Sequence, residues 1–284
     1  MQNAKLATKT NAQATSVITL NRTTTVGGKE LLIVGGPCAV ESQPQMDAIA
    51  QHLKGTIQAM RGGAYKPRTS PYSFQGLGDE GLAILDSVRR RYQIPVITEV
   101  MAIAQIDIIA AHADVLQIGS RNMQNFDLLK AVGAVNKPVV LKRGLSATIE
   151  EFVMAAEYIL AHGNPHVILC ERGIRSFDSY TRNVLDLGAV AALKHITHLP
   201  ILVDPSHATG KRELVADLAR AAIACGADGL MIECHPVPEE SVSDARQALS
   251  LEAMVELVDS LKPIAAAVGR SIATPIPYPE LAIA

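Results

Sequence analysis

Short β-branched runs alternate with amphipathic stretches eight times along this 284-residue chain, and that rhythm constrains the fold more than any other feature of the sequence. A run of period two followed by a stretch of period near 3.6 marks a βα unit. The runs span residues 31–38, 62–67, 95–100, 115–120, 138–144, 166–173, 200–207 and 229–236. Helix-end signals fall between them. Ser42 with Gln45 opens a helix expected to reach about Met60, Thr148 with Glu151 opens another, and Gly163 and Gly226 stand where left-handed caps belong. Eight consecutive units of class α/β close most economically into a (β/α)8 TIM barrel, for which about 250 residues is the usual length. An open doubly wound sheet is the alternative, and it requires a reversal of strand order.

The reading divides the chain into three parts. Residues 1–29 form an N-terminal arm, with VITL and TTTVGG making a small β-hairpin across the barrel floor. Residues 30–267 are the catalytic barrel. Residues 268–284 are an irregular tail, because Pro275, Pro277 and Pro279 forbid a continued helix. With 48% hydrophobic and 19% charged residues, the chain has enough apolar surface for one large core and is neither disordered nor fibrous. Its 26 Lys and Arg against 28 Asp and Glu leave a net charge of −2, which argues against nucleic acid as a partner. No apolar stretch is long enough to cross a membrane. Cys38, Cys170, Cys225 and Cys234 lie scattered in apolar segments, which suits a reducing compartment without disulfides. The N-terminus lacks the apolar core of a secretory signal, so a loose arm on a cytoplasmic protein is expected.

In a barrel of this kind the active site lies at the C-terminal strand ends. Those ends carry, in order, Cys38; Lys66 and Arg68; Glu99; Gln117, Ser120 and Arg121; Lys142 and Arg143; Glu171, Arg172 and Arg175; Asp204 and His207; Glu233 and His235. A ring of cations on a chain of net charge −2 focuses positive potential on one mouth and points to an anionic substrate, with phosphate the best match to Arg forks and Lys point charges. Each cation alone reads more simply as solvated or paired with Glu99, Glu171 or Asp204. Thr69 and Ser70, directly after Lys66 and Arg68, add hydroxyls suited to a phosphate, although the Walker spacing is absent.

Cys38, His207, Glu233 and Asp244 form a second constellation, on strands that become neighbours when a barrel closes. A sulfur, nitrogen and oxygen donor set suits Mn, Fe, Co or Zn. An inert buried Cys and a hydrogen-bonded His are the alternative, since no local CxxC spacing is present. Strand period turns Met231 and Glu233 inward and Cys234 outward, so Cys234 is expected in the core. GLGDEG (76–81) follows a Pro-containing loop and reads as a helix opening, and His195 and His198 have a sufficient reason at a helix end. Lys66 and Lys142 also fit a Schiff-base role.

Together GPCAVES, GGAYKPRTSPYSFQGLG, QIGSRNMQN, LKRG, CERGIR, DPSHATG and MIECHP resemble the 3-deoxy-D-arabino-heptulosonate 7-phosphate (DAHP) synthases, in the compact branch related to 3-deoxy-octulosonate 8-phosphate synthase. The resemblance runs from about residue 31 to 262. It implies condensation of phosphoenolpyruvate with erythrose 4-phosphate and a homo-oligomer, a tetramer in the family. It implies a divalent metal, Mn or alternatively Fe, Co or Zn, on Cys38, His207, Glu233 and Asp244, with Cys38 and His207 thereby part of the catalytic apparatus. It places phosphoenolpyruvate on Arg61, Lys66, Ser120, Arg121, Lys142 and Arg172, with Gln117 beside them, and the sugar phosphate on Arg68, Thr69 and Ser70. Lys66 is read as proton donor and Glu99 or Asp204 as the group acting on water. The Lys66-Pro67-Arg68-Thr69-Ser70 loop favours the four-carbon sugar over the five-carbon one used by the sister enzyme, and a non-catalytic sugar-phosphate-binding barrel is the rival reading. The cation ring and the metal set are expected to be separate, and no feedback inhibition by Phe, Tyr or Trp is expected of the isolated chain.

Overall fold

The computed structural model describes residues 3–10 and 15–273. β1 (Ile18–Thr19) and β2 (Thr25–Val26) pair antiparallel as a small hairpin. Eight parallel strands follow: β3 (Glu30–Gly36), β4 (Ala59–Arg61), β5 (Val96–Glu99), β6 (Val115–Ile118), β7 (Val139–Lys142), β8 (Val167–Glu171), β9 (Ile201–Val203) and β10 (Gly229–Glu233). β10 pairs back onto β3 in a five-residue register, Gly229 opposite Leu32 through Glu233 opposite Gly36, which closes the barrel and rules out the open sheet. Around it lie α1 (Gln43–His52), α2 (Asp79–Tyr92), α3 (Ile106–His112), α4 (Phe126–Gly133), α5 (Ile149–Ala161), α6 (Leu187–Ile196), α7 (Pro205–Thr209), α8 (Arg212–Ala224) and α9 (Leu251–Ala267).

Strand period sorts the core into two layers. Leu32, Val34, Ala59, Ile97, Val115, Val140, Ile168, Leu202 and Met231 fill the barrel interior together with Ile18, Leu20 and Val26 of the hairpin, which thus plugs the floor. Their neighbours Leu31, Ile33, Leu116, Leu141, Leu169, Ile201 and Ile232 pack outward against the helices, as does Cys234. One or two inward positions further along, the same parity delivers Arg61, Glu99, Gln117, Lys142, Arg172, Asp204 and Glu233 to the mouth.

Several boundaries differ from the sequence reading. The second strand is Ala59–Arg61, not residues 62–67, and α1 stops at His52 instead of reaching Met60. Gly62 and Gly63 lack the side chains that favour a continued strand, so Lys66 and Arg68 sit on a loop. The run 200–207 is a strand only to Val203. Asp204 Oδ1 then accepts from the backbone N–H of His207 and starts the short helix α7. Thr148 and Glu151 form the reciprocal capping box, whereas Gln45 Oε1 accepts from Glu41 N–H and not from Ser42. In the tail, β11 (Ser271–Ile272) adds to β3 in parallel at Glu30 and Leu31, which precede the pairings of β3 with β4 and β10 and so accept one more strand. Pro275, Pro277 and Pro279 lie outside the described residues.

The floor is stitched by polar contacts as well. Asp228 is buried and receives Lys194 Nζ at 2.7 Å, Arg270 Nη2 at 3.2 Å and the N–H of Ile201 at 2.8 Å. His198, read as a helix-end residue, holds the arm: its ring nitrogens lie 2.7 Å from Ser16 Oγ and 2.7 Å from Leu6 O.

Candidate active site and metal centre

Cys38, His207, Glu233 and Asp244 come together, with one potential ligand atom from each lying within 4.8 Å of the others. β3 delivers Cys38 through Gly36, whose φ of +139° and 2.2 Å approach of a would-be Cβ to Arg61 O leave room only for glycine. α7 delivers His207, with Nδ1 2.7 Å from Asp204 Oδ2. A carboxylate there accepts the Nδ1 proton and leaves the Nε2 lone pair facing Glu233 Oε1 at 3.3 Å and Asp244 Oδ2 at 3.7 Å. Burial lowers the His207 pKa against the pull of Asp204 and Glu233, which favours the neutral imidazole a metal needs. Burial also pushes the Cys38 thiol up to about 12, with Glu233 adding to the rise. A thiol, a neutral imidazole and two carboxylates converging on one point fit a borderline divalent cation.

Asp244 comes from no strand. It lies in the loop after β10 with φ +58°, a left-handed conformation that is uncommon for a residue with a side chain. Such strain at a site needs surrounding support. Glu41 Oε1 accepts from Val242 N–H at 3.2 Å, Ser243 Oγ lies 3.0 Å from Cys38 Sγ, and Cys38 Sγ lies 3.1 Å from Asp244 Oδ2. Burial would raise the Asp244 carboxyl, yet His207 and the Arg182 guanidinium bring it down to about 2.

The cations do not form a separate ring. Lys66 Nζ lies 2.9 Å from Cys38 Sγ and 2.7 Å from Cys38 O, and Arg61 Nη1 pairs with Glu233 Oε1 at 2.8 Å. All four residues are buried, so the expected separation fails: the loop after β4 folds back over the end of β3 and brings its lysine to the thiol. Lys142 pairs with Asp204, which His207 and Lys142 hold well below the usual carboxylate range against the upward pull of burial. Arg143 is tied to Glu171 at 2.8 Å and Asp186 at 3.0 Å through Nη1 and to Ala147 O at 3.0 Å through Nε, contacts that hold it among structural partners.

Unused donors mark where an anion fits. Among the described residues, Arg61 Nε and Arg68 Nη2 are buried without a hydrogen-bond partner. Arg172 is buried, with only the Gly173 carbonyl at 3.4 Å as a partner among the described residues, and burial lowers its pKa. Arg68 is held by Phe74 O at 2.9 Å, Thr69 and Ser70 are exposed on the same loop, and Ser120 and Arg121 lie in a 3-10 turn after β6, Ser120 half-buried and Arg121 exposed. Gln117 Nε2 donates to Glu99 Oε2 at 3.2 Å. Sequence reasoning missed Gln247, whose Nε2 donates to Glu233 Oε2 at 2.6 Å, and Arg182, which reaches Asp244. Gln247 stands three residues after Asp244, a spacing that offers a signal; Arg182 offers none.

Fold and site together define a (β/α)8 barrel protein with a mixed thiol, imidazole and carboxylate centre beneath a cationic mouth. The model of the DAHP synthetase I family matches residues 9–268, and the chain belongs to that family. It is 50% identical over 245 residues to the phospho-2-dehydro-3-deoxyheptonate aldolase of Thermotoga maritima, covering 86% of this chain and 72% of that protein. A crystal structure of DAHP synthase from T. maritima superimposes with a TM-score of 0.91 at 47% identity, covering 95% of this chain and 79% of the other. The 2-dehydro-3-deoxyphosphooctonate aldolase of Syntrophobacter fumaroxidans is 31% identical over 256 residues, covering 84% of this chain and 88% of that protein. Among the described residues no helix is long and apolar enough to cross a membrane.

Proposed function

We propose that this chain is a DAHP synthase: it condenses phosphoenolpyruvate with D-erythrose 4-phosphate and water to give DAHP and phosphate, the first step of the shikimate pathway. The observation that carries the reading is the interlock of Lys66 and Arg61 with Cys38 and Glu233, which sets a proton donor and an anion grip against a candidate metal centre in a chain of this family. Cys38, His207, Glu233 and Asp244 would hold the cation, with Mn²⁺ the first choice and Fe, Co or Zn compatible with the same donors. A divalent cation bound there supplies Lewis acidity toward the aldehyde oxygen of the sugar phosphate.

The protein's own groups do the rest. Arg61, Lys66, Lys142 and Arg172, with Ser120 and Arg121 at the rim, grip phosphoenolpyruvate, and Gln117 lines the same space. Arg68, Thr69 and Ser70 take the phosphate of the sugar, which turns its aldehyde inward. C3 of the enol attacks the aldehyde carbon, and the aldehyde oxygen takes a proton from Lys66. Water adds at C2, the C2–O bond to phosphate breaks, and buried cations stabilise the leaving dianion. Of the two carboxylates considered for acting on that water, Asp204 has its oxygens engaged by His207 and Lys142, so we assign it to orienting His207 and give the water to Glu99. Family likeness and cysteine use further support a cytoplasmic homotetramer.

The test is phosphate release from phosphoenolpyruvate with erythrose 4-phosphate or arabinose 5-phosphate, after EDTA and after EDTA followed by excess Mn²⁺. The expected result is release with the four-carbon sugar alone and only once metal is restored. Preference for arabinose 5-phosphate moves the chain to the activity named for its octonate relatives. No release with either sugar under Mn²⁺ overturns the catalytic reading.

A further inference from the structure

We propose that Arg182, on the loop between β8 and α6, is a positioning residue that sets the affinity of the metal centre by fixing Asp244 and Gln247. The inference rests on reading Cys38, His207, Glu233 and Asp244 as metal ligands. Arg182 Nη1 lies 3.4 Å from Asp244 Oδ1 and 3.3 Å from Gln247 Oε1. Gln247 passes the constraint on, since its amide nitrogen donates to Glu233 Oε2. One guanidinium therefore reaches the outer oxygen of one acidic ligand directly and the second acidic ligand through a single amide. With Oδ1 held on the outside, Asp244 presents Oδ2 to Cys38 and His207.

The base of this arm is fixed to the third ligand's segment. Arg182 N–H donates to Thr209 O at 2.9 Å, Asn183 N–H to Ala208 O at 2.7 Å, and Asn183 Nδ2 to His207 O at 3.1 Å. The loop thus grips the His207 helix by its backbone and the two carboxylate ligands by its side chain. Arg182 is partly exposed, and for an isolated ion pair such exposure would argue a negligible effect. Its acceptors are different in kind: Asp244 sits on a left-handed backbone whose side chain needs an external hold, and Gln247, once no donor reaches its Oε1, has its amide fixed only by the bond to Glu233. Both contacts come from Nη1, so lysine would keep the charge but on a shorter stem, without the guanidinium plane that aims that nitrogen between the two acceptors.

Metal-free wild type, Arg182→Ala, Arg182→Lys and His207→Ala are each titrated with Mn²⁺ by calorimetry, and each is melted without metal. Arg182→Ala is expected to weaken Mn²⁺ binding by roughly 10–100-fold, the usual cost of losing a group that orients a ligand. Its metal-free Tm should stay within about 2 °C of wild type, and Arg182→Lys should fall between the two in affinity. Binding in Arg182→Ala within twofold of wild type, while His207→Ala has lost it, overturns the role of Arg182 alone. Unchanged binding in His207→Ala overturns the metal centre itself. A metal-free Tm that drops together with the affinity makes Arg182 merely structural, and if Arg182→Ala does not fold, wild-type affinity in Arg182→Lys overturns the proposal.

Discussion

Asp204 shows how much one buried side chain is asked to do. It caps α7, receives the His207 ring and neutralises Lys142, all with two oxygens and no exposed surface. Asp204→Asn keeps the shape but removes the charge, leaving Lys142 buried without a counter-ion and offering His207 an amide that favours the wrong tautomer. We expect Mn²⁺ affinity to fall by about 10–100-fold. Calorimetric titration of the metal-free variant checks this, and wild-type affinity would show that the carboxylate charge is dispensable for orienting the imidazole.

The loop between β4 and α2, residues 62–78, is an element built from local hydrogen bonds more than from burial. Gln75 Nε2 reaches Ser73 O at 2.7 Å, Pro71 O at 3.3 Å and Ser70 O at 3.4 Å, and Lys66 N–H donates to Gln75 O at 2.9 Å. Gln75→Ala should free the turn that carries Thr69 and Ser70 while leaving the buried Lys66 in place. The KM for erythrose 4-phosphate is then expected to rise by about an order of magnitude, with kcat changed much less, the pattern of lost uniform binding. Steady-state kinetics with each substrate varied separates the two parameters. This loop also marks how far the sequence could be read. Period two and period 3.6 announced the eight βα units, and the inward parity of Val140 and Lys142, or Met231 and Glu233, carried the strand-borne part of the site with them. Loops obey no period. Nothing periodic therefore places the three-residue strand at Ala59–Arg61, brings Lys66 to Cys38, or marks Arg182 beside Asn183 on the segment that holds His207.

At the scale of the whole molecule, the floor carries stability and the mouth carries chemistry. Asp228 gathers Lys194, Arg270 and the N–H of Ile201 beneath the plugged end of the barrel, far along every strand from the strand ends that form the site. Asp228→Ala takes the buried carboxylate from two partly exposed cations and strands the Ile201 N–H, and a loss of about 2–3 kcal/mol is expected. Urea unfolding with an unchanged m-value should report that loss in full, and a shift below about 1 kcal/mol would mean the cluster is already solvated. The pairing of β10 with β3 has a consequence of a different kind. It joins residues about two hundred positions apart, so during synthesis the first strand waits, one edge unpaired, until almost the whole chain has left the ribosome. The candidate metal centre straddles that seam, with Cys38 on the early side and His207, Glu233 and Asp244 on the late side. A half-made barrel therefore has no site to load, and a cation held there would act as a clasp fastened only after β10 has closed on β3.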